Sequence, residues 1–258
     1  MSVDGRVGTV TLNRPASLNA LTVELVDELR SALGMLAGST AVRCIVLTGA
    51  GRAFCAGADL SVLKDIGRRR DADLGARLVD GARGVFRAIR EAPQPVLCAL
   101  NGAAAGGGAN LALACDLRIA ADTAAIGQVF ARLGLHPDWG GTWFLPRLVG
   151  ASKALELFLD AEMVDAARCL ELGLVNRVVP AAELPARSRE WAERIAAAPP
   201  EAVRRLKRSL YAGEAEGASL ETTLDRELEA QLACFATKDF AEGLSAFFEK
   251  REPHFTGQ

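Results

Sequence analysis

Short apolar runs separated by longer amphipathic stretches set the pattern of the first half of the chain. The runs VGTVTL (7–12), CIVLTG (44–49), PVLCALNG (95–102) and LRIAA (117–121) are rich in aliphatic or β-branched residues and read as strands. Between the first two lies LTVELVDELRSALGML (21–36), whose leucines recur at helical spacing. The alternation predicts a layered α/β fold. After about residue 150 the pattern turns helical, with ASKALELFLD, DAARCLELG ending at Gly173, and PPEAVRRLKRSL entered through prolines. The short run LVNRVVP interrupts it as one more strand. Residues 61–81 are charged and weakly periodic and read as a mobile surface segment. The last twenty residues read as an amphipathic helix carrying Leu244, Phe247 and Phe248, followed by a polar tail.

Composition narrows this picture. With 258 residues, half of them hydrophobic, the chain can bury a large core. A formal net charge of −2 offers no global attraction to nucleic acid or anionic membranes, which favours a small-molecule ligand. The N-terminal residues lack a signal-peptide pattern and no apolar run reaches the ~20 residues of a membrane span, so a cytoplasmic protein is expected. The six cysteines are scattered without a C-x-x-C pair and read as reduced core residues.

Two segments share one design, a buried strand ending in a turn of small residues: CIVLTGAGRAFCAGADL and PVLCALNGAAAGGGANLALACD. Glycine and alanine there allow a ligand to approach the backbone closely. In the second segment the glycines open a helix whose free N–H groups and dipole favour developing negative charge. GAGRAFCAG lacks the Gly-Lys-Ser/Thr of a phosphate loop, and AAAGGGANLALA lacks the last glycine of a dinucleotide fingerprint.

The order L-N-R-P-x-x-L-N-A-L (Leu12 to Leu21), G-R-A-F-C-A-G-A-D-L (Gly51 to Leu60), N-G-x-A-x-G-G-G (Asn101 to Gly108), G-G-T-W-F-L-P-R-L-V-G (Gly140 to Gly150) and A-F-F-E-K-R-x-P-x-F (Ala246 to Phe255) resembles the enoyl-CoA hydratase/isomerase, or crotonase, superfamily. The resemblance implies a ClpP/crotonase-like spiral of ββα units over residues 1–195, and a C-terminal helical region, 196–258, that builds trimers or hexamers. It implies an acyl-CoA thioester as substrate, with no separate cofactor, no nucleic acid and no membrane. Ala58 and Gly107 match the oxyanion-hole donors for the thioester carbonyl. Ala16, Leu18, Ala20, Ala56, Asp59 and Leu60 match the cradle of the coenzyme A arm, and Lys250 a lysine that reaches coenzyme A, often across a subunit boundary.

Where a typical hydratase of that family has two glutamates, this chain has Asn110 and Phe130. Neither can transfer a proton, so hydration, which needs a group to deprotonate water, is disfavoured. The carboxylate left in the neighbourhood is Asp138, in LGLHPDWGG, flanked by Pro137 and Trp139, which with Asn110 and Phe130 are candidate substrate contacts. In relatives acting as isomerases or as 4-chlorobenzoyl-CoA dehalogenase, an aspartate here is the base or nucleophile. The alternative is an Asp that caps a helix in a turn. The expectation is a double-bond or ring isomerase, similar in look to the phenylacetate-pathway isomerase. A hydratase, a dehalogenase or hydrolase, and a non-catalytic acyl-CoA binder are the alternatives. His136 and His254 lack a third metal ligand. Trp139, Trp143 and Phe144 read as core or pocket wall, RRLKRS as a solvated helix face, and Asn19 and Asn101 as side chains bonding nearby backbone.

Overall fold

In the computed structural model, residues 1–213 and 219–258 are described. Among the described residues ten strands form two sheets. The first six are β1 (Ser2–Asp4), β2 (Val7–Leu12), β3 (Cys44–Gly49), β4 (Ala53–Cys55), β5 (Val96–Leu100) and β6 (Ala103–Ala105). The rest are β7 (Leu117–Ala121), β8 (Ala125–Gly127), β9 (Met163–Asp165) and β10 (Arg177–Val179). One sheet runs β1-β2-β3-β5-β7-β10, parallel except for β1; the other runs β4-β6-β8-β9, with β9 antiparallel. Three successive pairs, β3/β4, β5/β6 and β7/β8, each send one strand to each sheet before the chain turns into helix. The strands foreseen from apolar runs are all present. Of the larger sheet, the central strands β3, β5 and β7 are the most deeply buried, and β5, buried along its whole length, carries an unbroken apolar sequence. Val10, Leu47 and Cys98 stand in register across three strands at the centre of the core.

The helices are α1 (Val23–Ala37), α2 (Leu60–Arg69), α3 (Ala72–Arg90), α4 (Gly107–Ala114), α5 (Gly141–Val149) and α6 (Ala151–Asp160). They continue with α7 (Ala166–Glu171), α8 (Leu184–Ala196), α9 (Pro200–Gly213), α10 (Leu220–Phe235) and α11 (Lys238–Glu249). The Thr22 hydroxyl accepts from Leu25 N and starts α1, which buries Leu25, Leu29, Leu33 and Leu36 on one face. No helix of the described residues is long and apolar enough to cross a membrane.

Three expectations are corrected. Residues 61–81 are not an irregular segment: Asp59 caps α2 through Ser61 N, and Asp71 caps α3 through Leu74 N. The periodicity looked weak because α2 buries nothing in the core; its Leu63 and Ile66 face a cavity instead. Trp143 is 44% exposed, with the Arg147 guanidinium stacked over its ring. Lys207, in the basic run read as solvated, is buried.

The Lys207 ammonium donates to Ile89 O (2.7 Å), Gln94 O (3.0 Å) and Asp116 Oδ2 (2.7 Å), and so fastens α9 to the core. Asp116 also accepts from Val96 N at 2.6 Å and from the Tyr211 hydroxyl. Burial pushes the Lys207 amine below its ordinary range, and the Asp116 charge opposes this. Removing one partner of a buried pair strands the other charge. Asp116→Ala is therefore expected to cost about 3–5 kcal/mol, read as a fall in the thermal midpoint; an unchanged midpoint would show the pair to be dispensable.

Candidate active site

A cavity of about 600 Å³ opens where the two small-residue turns meet. The first follows β4 and carries Gly57, at φ +88°, and Ala58. The second follows β6 and carries Gly106, at φ +51°, and Gly107, the first residue of α4. A Cβ built on Gly57 would lie 2.7 Å from Ala105 O and 3.5 Å from Gly107 N. One built on Gly108 would lie 2.2 Å from Cys55 O. Only glycines permit this backbone-to-backbone contact.

The hydrogen bonds around Ala58 explain its free donor. Leu21 N donates to Gly57 O (2.7 Å), and Asp59 N donates to Leu21 O (2.9 Å). Ala58, between them, spends no N–H on this bridge. Gly107 N, at the first turn of α4, has no intrahelical acceptor. Among the described residues neither N–H has a backbone partner. Both residues line the cavity, and the α4 dipole adds partial positive charge at Gly107.

Asp59 and Asp138 are the carboxylates lining the cavity among the described residues. Asp59 is already engaged: it accepts from the Ser61 hydroxyl (2.7 Å) and N–H (3.0 Å) and pairs with Arg14 Nη1 at 2.9 Å. The Ser61 hydroxyl, together with Ser61 N–H and Arg14, holds it below the usual carboxylate range. Asp138 is half-buried, and no side chain among the described residues donates to it. Removal from water raises its carboxyl to about 6, against the opposing pull of its own N–H and of His136. It does not cap α5, whose N-cap is Gly140 without a side-chain bond.

The cradle residues Ala16, Leu18, Ala20, Ala56, Asp59 and Leu60 all line the cavity, as do Phe130 and Trp139. Two of the candidate substrate contacts, Asn110 and Pro137, stand outside the lining. Asn110 is fully buried behind the wall: its Nδ2 donates to Asp138 O (2.8 Å) and its Oδ1 accepts from Gln128 Nε2 (2.8 Å). Pro137 lies next to Asp138 but outside the lining. Lys250, expected to act across a subunit boundary, is exposed at the end of α11 and does not line the cavity of its own chain. Sequence reasoning missed the outer wall of Leu63, Ile66, Leu78, Val79, Leu133 and Leu135. For Leu63, Ile66, Leu78 and Val79, the helical spacing across α2 and α3 was the available signal. It also gave no role to Arg14, which locks Asp59 and donates to Ala20 O at 2.6 Å.

Asn19 and Asn101 tie the turns together as expected. Asn19 Nδ2 donates to Ala50 O and Ala53 O, both at 2.9 Å. Asn101 donates to Gly51 O (3.0 Å) and Ala53 O (3.1 Å). The chemistry available is thus a pair of backbone donors for an oxyanion, one basic carboxylate and an apolar wall.

Known proteins are similar to this chain in sequence and fold over nearly its whole length. A Rhodobacter capsulatus protein named probable enoyl-CoA hydratase is 42% identical over 252 residues, covering 98% of this chain and 95% of its own length. The 1,2-epoxyphenylacetyl-CoA isomerase of Escherichia coli is 38% identical over 256 residues, covering 99% and 97%. The crystal structure of enoyl-CoA hydratase from Bacillus anthracis superimposes with a TM-score of 0.92 at 39% identity, covering 100% of this chain and 98% of that one. The profile of the family described as enoyl-CoA hydratase/isomerase matches residues 3–258, and the chain, with its crotonase fold, belongs to that family.

Proposed function

We propose that the chain is an acyl-CoA isomerase that acts in the cytoplasm without a separate cofactor. In this reading Ala58 N–H and Gly107 N–H hold the thioester oxygen, while Asp138 takes a proton from one carbon and returns it to another. The observation that carries it is the division of labour between the two cavity carboxylates. Asp59 is spent on Arg14 and Ser61, which leaves Asp138 with a pKa of about 6, suited to accepting and releasing a proton near neutrality. One carboxylate suffices for moving a proton within one bound substrate. Each oxyanion donor can contribute about 3 kcal/mol in the transition state. Phe130 and Trp139 keep water from the carboxylate.

The names of several relatives favour hydration as the second reading. Hydration requires a group that orients and deprotonates water, and the buried amide of Asn110 and the ring of Phe130 supply none. The two readings separate in one preparation, by comparing 3-enoyl-CoA isomerisation with crotonyl-CoA hydration. Asp138→Asn is expected to retain ligand affinity and lose at least about 100-fold in isomerisation. Fast hydration that survives the substitution would establish the hydratase reading instead.

The raised Asp138 pKa also has a sign. From about pH 4 to 6 the folded state binds more protons than the unfolded chain, so stability falls as pH rises through that window. Above it the ionised carboxylate is a standing cost. Asp138→Asn should therefore raise the thermal midpoint at pH 7.5, by an amount corresponding to roughly 1–2 kcal/mol for a half-buried group. The gain should vanish near pH 4. The wild-type kcat/KM should fall on the acid side of about pH 6. A pH-independent gain would mean that burial of the charge is not its cause.

A trimer or hexamer is part of the same proposal, with Lys250 reaching the coenzyme A of a neighbouring subunit. The support is the apolar face of α10, where Leu220, Leu224, Leu228 and Leu232 recur every fourth residue in the open, and of α11, where Phe247 and Phe248 are 78% and 74% exposed. Paired Leu228→Glu and Phe247→Glu should give a monomer by light scattering and weaken coenzyme A binding; an unchanged mass would rule these faces out as the interface.

A further inference from the structure

The Asp138 carboxylate projects from a turn that is costly to form. Trp139 sits at φ +46°, in the left-handed region that bulky side chains avoid, and Gly140 follows at φ +67°. The turn is closed by Gly141 N donating to Asp138 O at 2.9 Å. A second donor reaches the same carbonyl oxygen from another element: Asn110 Nδ2, on α4, at 2.8 Å. The Asn110 side chain is itself aimed, because Gln128 Nε2 donates to its Oδ1 at 2.8 Å. Asn110 has no exposed surface and Gln128 is 3% exposed. The fit is close enough to exclude a side chain at position 141, where a Cβ would lie 2.5 Å from Asn110 Nδ2.

The chemistry of this contact requires an amide. The group at 110 must accept from Gln128 with one atom and donate to a carbonyl with the other. An ionised carboxylate would set a second acceptor against Asp138 O. Gln128 Oε1 is buried without a protein donor among the described residues.

We propose that Asn110, aimed by Gln128, is a positioning residue that holds the Asp138 turn. An amide at this position then commits the site to a single-carboxylate reaction. The inference rests on the reading of Asp138 as the proton shuttle. It changes the meaning of position 110: the asparagine is a structural requirement of the aspartate 28 residues later, and not merely a hydratase acid that is missing.

The test measures 3-enoyl-CoA isomerisation by Asn110→Ala, Gln128→Met, Asp138→Asn and the Asn110→Ala/Asp138→Asn double variant, each as the purified full chain. Asn110→Ala should lower kcat by about 30-fold or more while KM changes by less than about 3-fold, since the oxyanion donors and cradle are untouched. Gln128→Met, which leaves the Asn110 donor in place but unaimed, should lower kcat by about 3- to 10-fold; it stands in for Asn110→Ala if that variant fails to fold. In the double variant the loss should be no greater than in Asp138→Asn alone, because Asn110 acts through Asp138. A kcat within about 3-fold of wild type in a folded Asn110→Ala, or losses that multiply in the double variant, would overturn the positioning role while leaving Asp138 as the base. Full activity in Asp138→Asn would overturn the base assignment, and this inference with it.

Discussion

The contact on which the site depends is backbone against backbone, where the turn after β4 meets the turn after β6. A methyl group at Gly57 or Gly108 would drive into Ala105 O or Cys55 O at 2.7 and 2.2 Å. This is a constraint on what is absent, since no side chain can stand between the two turns. Its consequence is that two residues from segments about fifty residues apart, each with an N–H free of a backbone partner, line one cavity. Because the donors are backbone, their aim is set by the sheets. β4 and β6 are paired in parallel, and that pairing fixes the spacing of their ends.

Around this contact the polar side chains serve backbone. Asn19 and Asn101 spend their amides on carbonyls of residues 50–53, Arg14 joins Ala20 O to Asp59, and Asn110 holds Asp138 O. These side-chain donors add to the bonds of carbonyls in and beside the turns, where a buried unpaired group would cost about 1–3 kcal/mol. The polar residues near the cavity therefore fall into two classes: several that shape the turns, and Asp138, whose carboxylate is left free by all of them.

How far this was legible in the sequence follows from where each residue finds its partner. The strands could be read because burial on both faces leaves unbroken apolar runs, and α4 because its glycines stand at its start. Ala58, Gly107 and Asp138 were singled out through the resemblance in motif order, and the structure brings all three to one cavity. The helices α2 and α3 were obscured because the apolar side of α2 is reserved for the cavity, so the core leaves little imprint on its pattern. Lys207 was misread because its countercharge, Asp116, lies 91 residues away. Asn110 was read as a lost acid because its partner is a backbone carbonyl, which has no residue identity to recognise.

The electrostatics of the two halves of the cavity are complementary in a way that bears on the proposed reaction. Ionised Asp138 sits where removal from water makes negative charge unfavourable, and its pKa near 6 records that cost. The free N–H groups of Ala58 and Gly107, with the α4 dipole behind the second, make the other end favourable to negative charge. In the proposed reaction, a proton passing from a substrate carbon to Asp138 would move the charge from the apolar end to the thioester oxygen at the donor-rich end. The return step reverses it. No net charge enters or leaves the cavity in either step, so no reorganisation of bulk water is required. A second ionised carboxylate beside Asp138 would break this balance by repelling the base and by giving water a place to be activated. The amide at 110 and the ring at 130 belong to the same electrostatic arrangement as the aspartate itself.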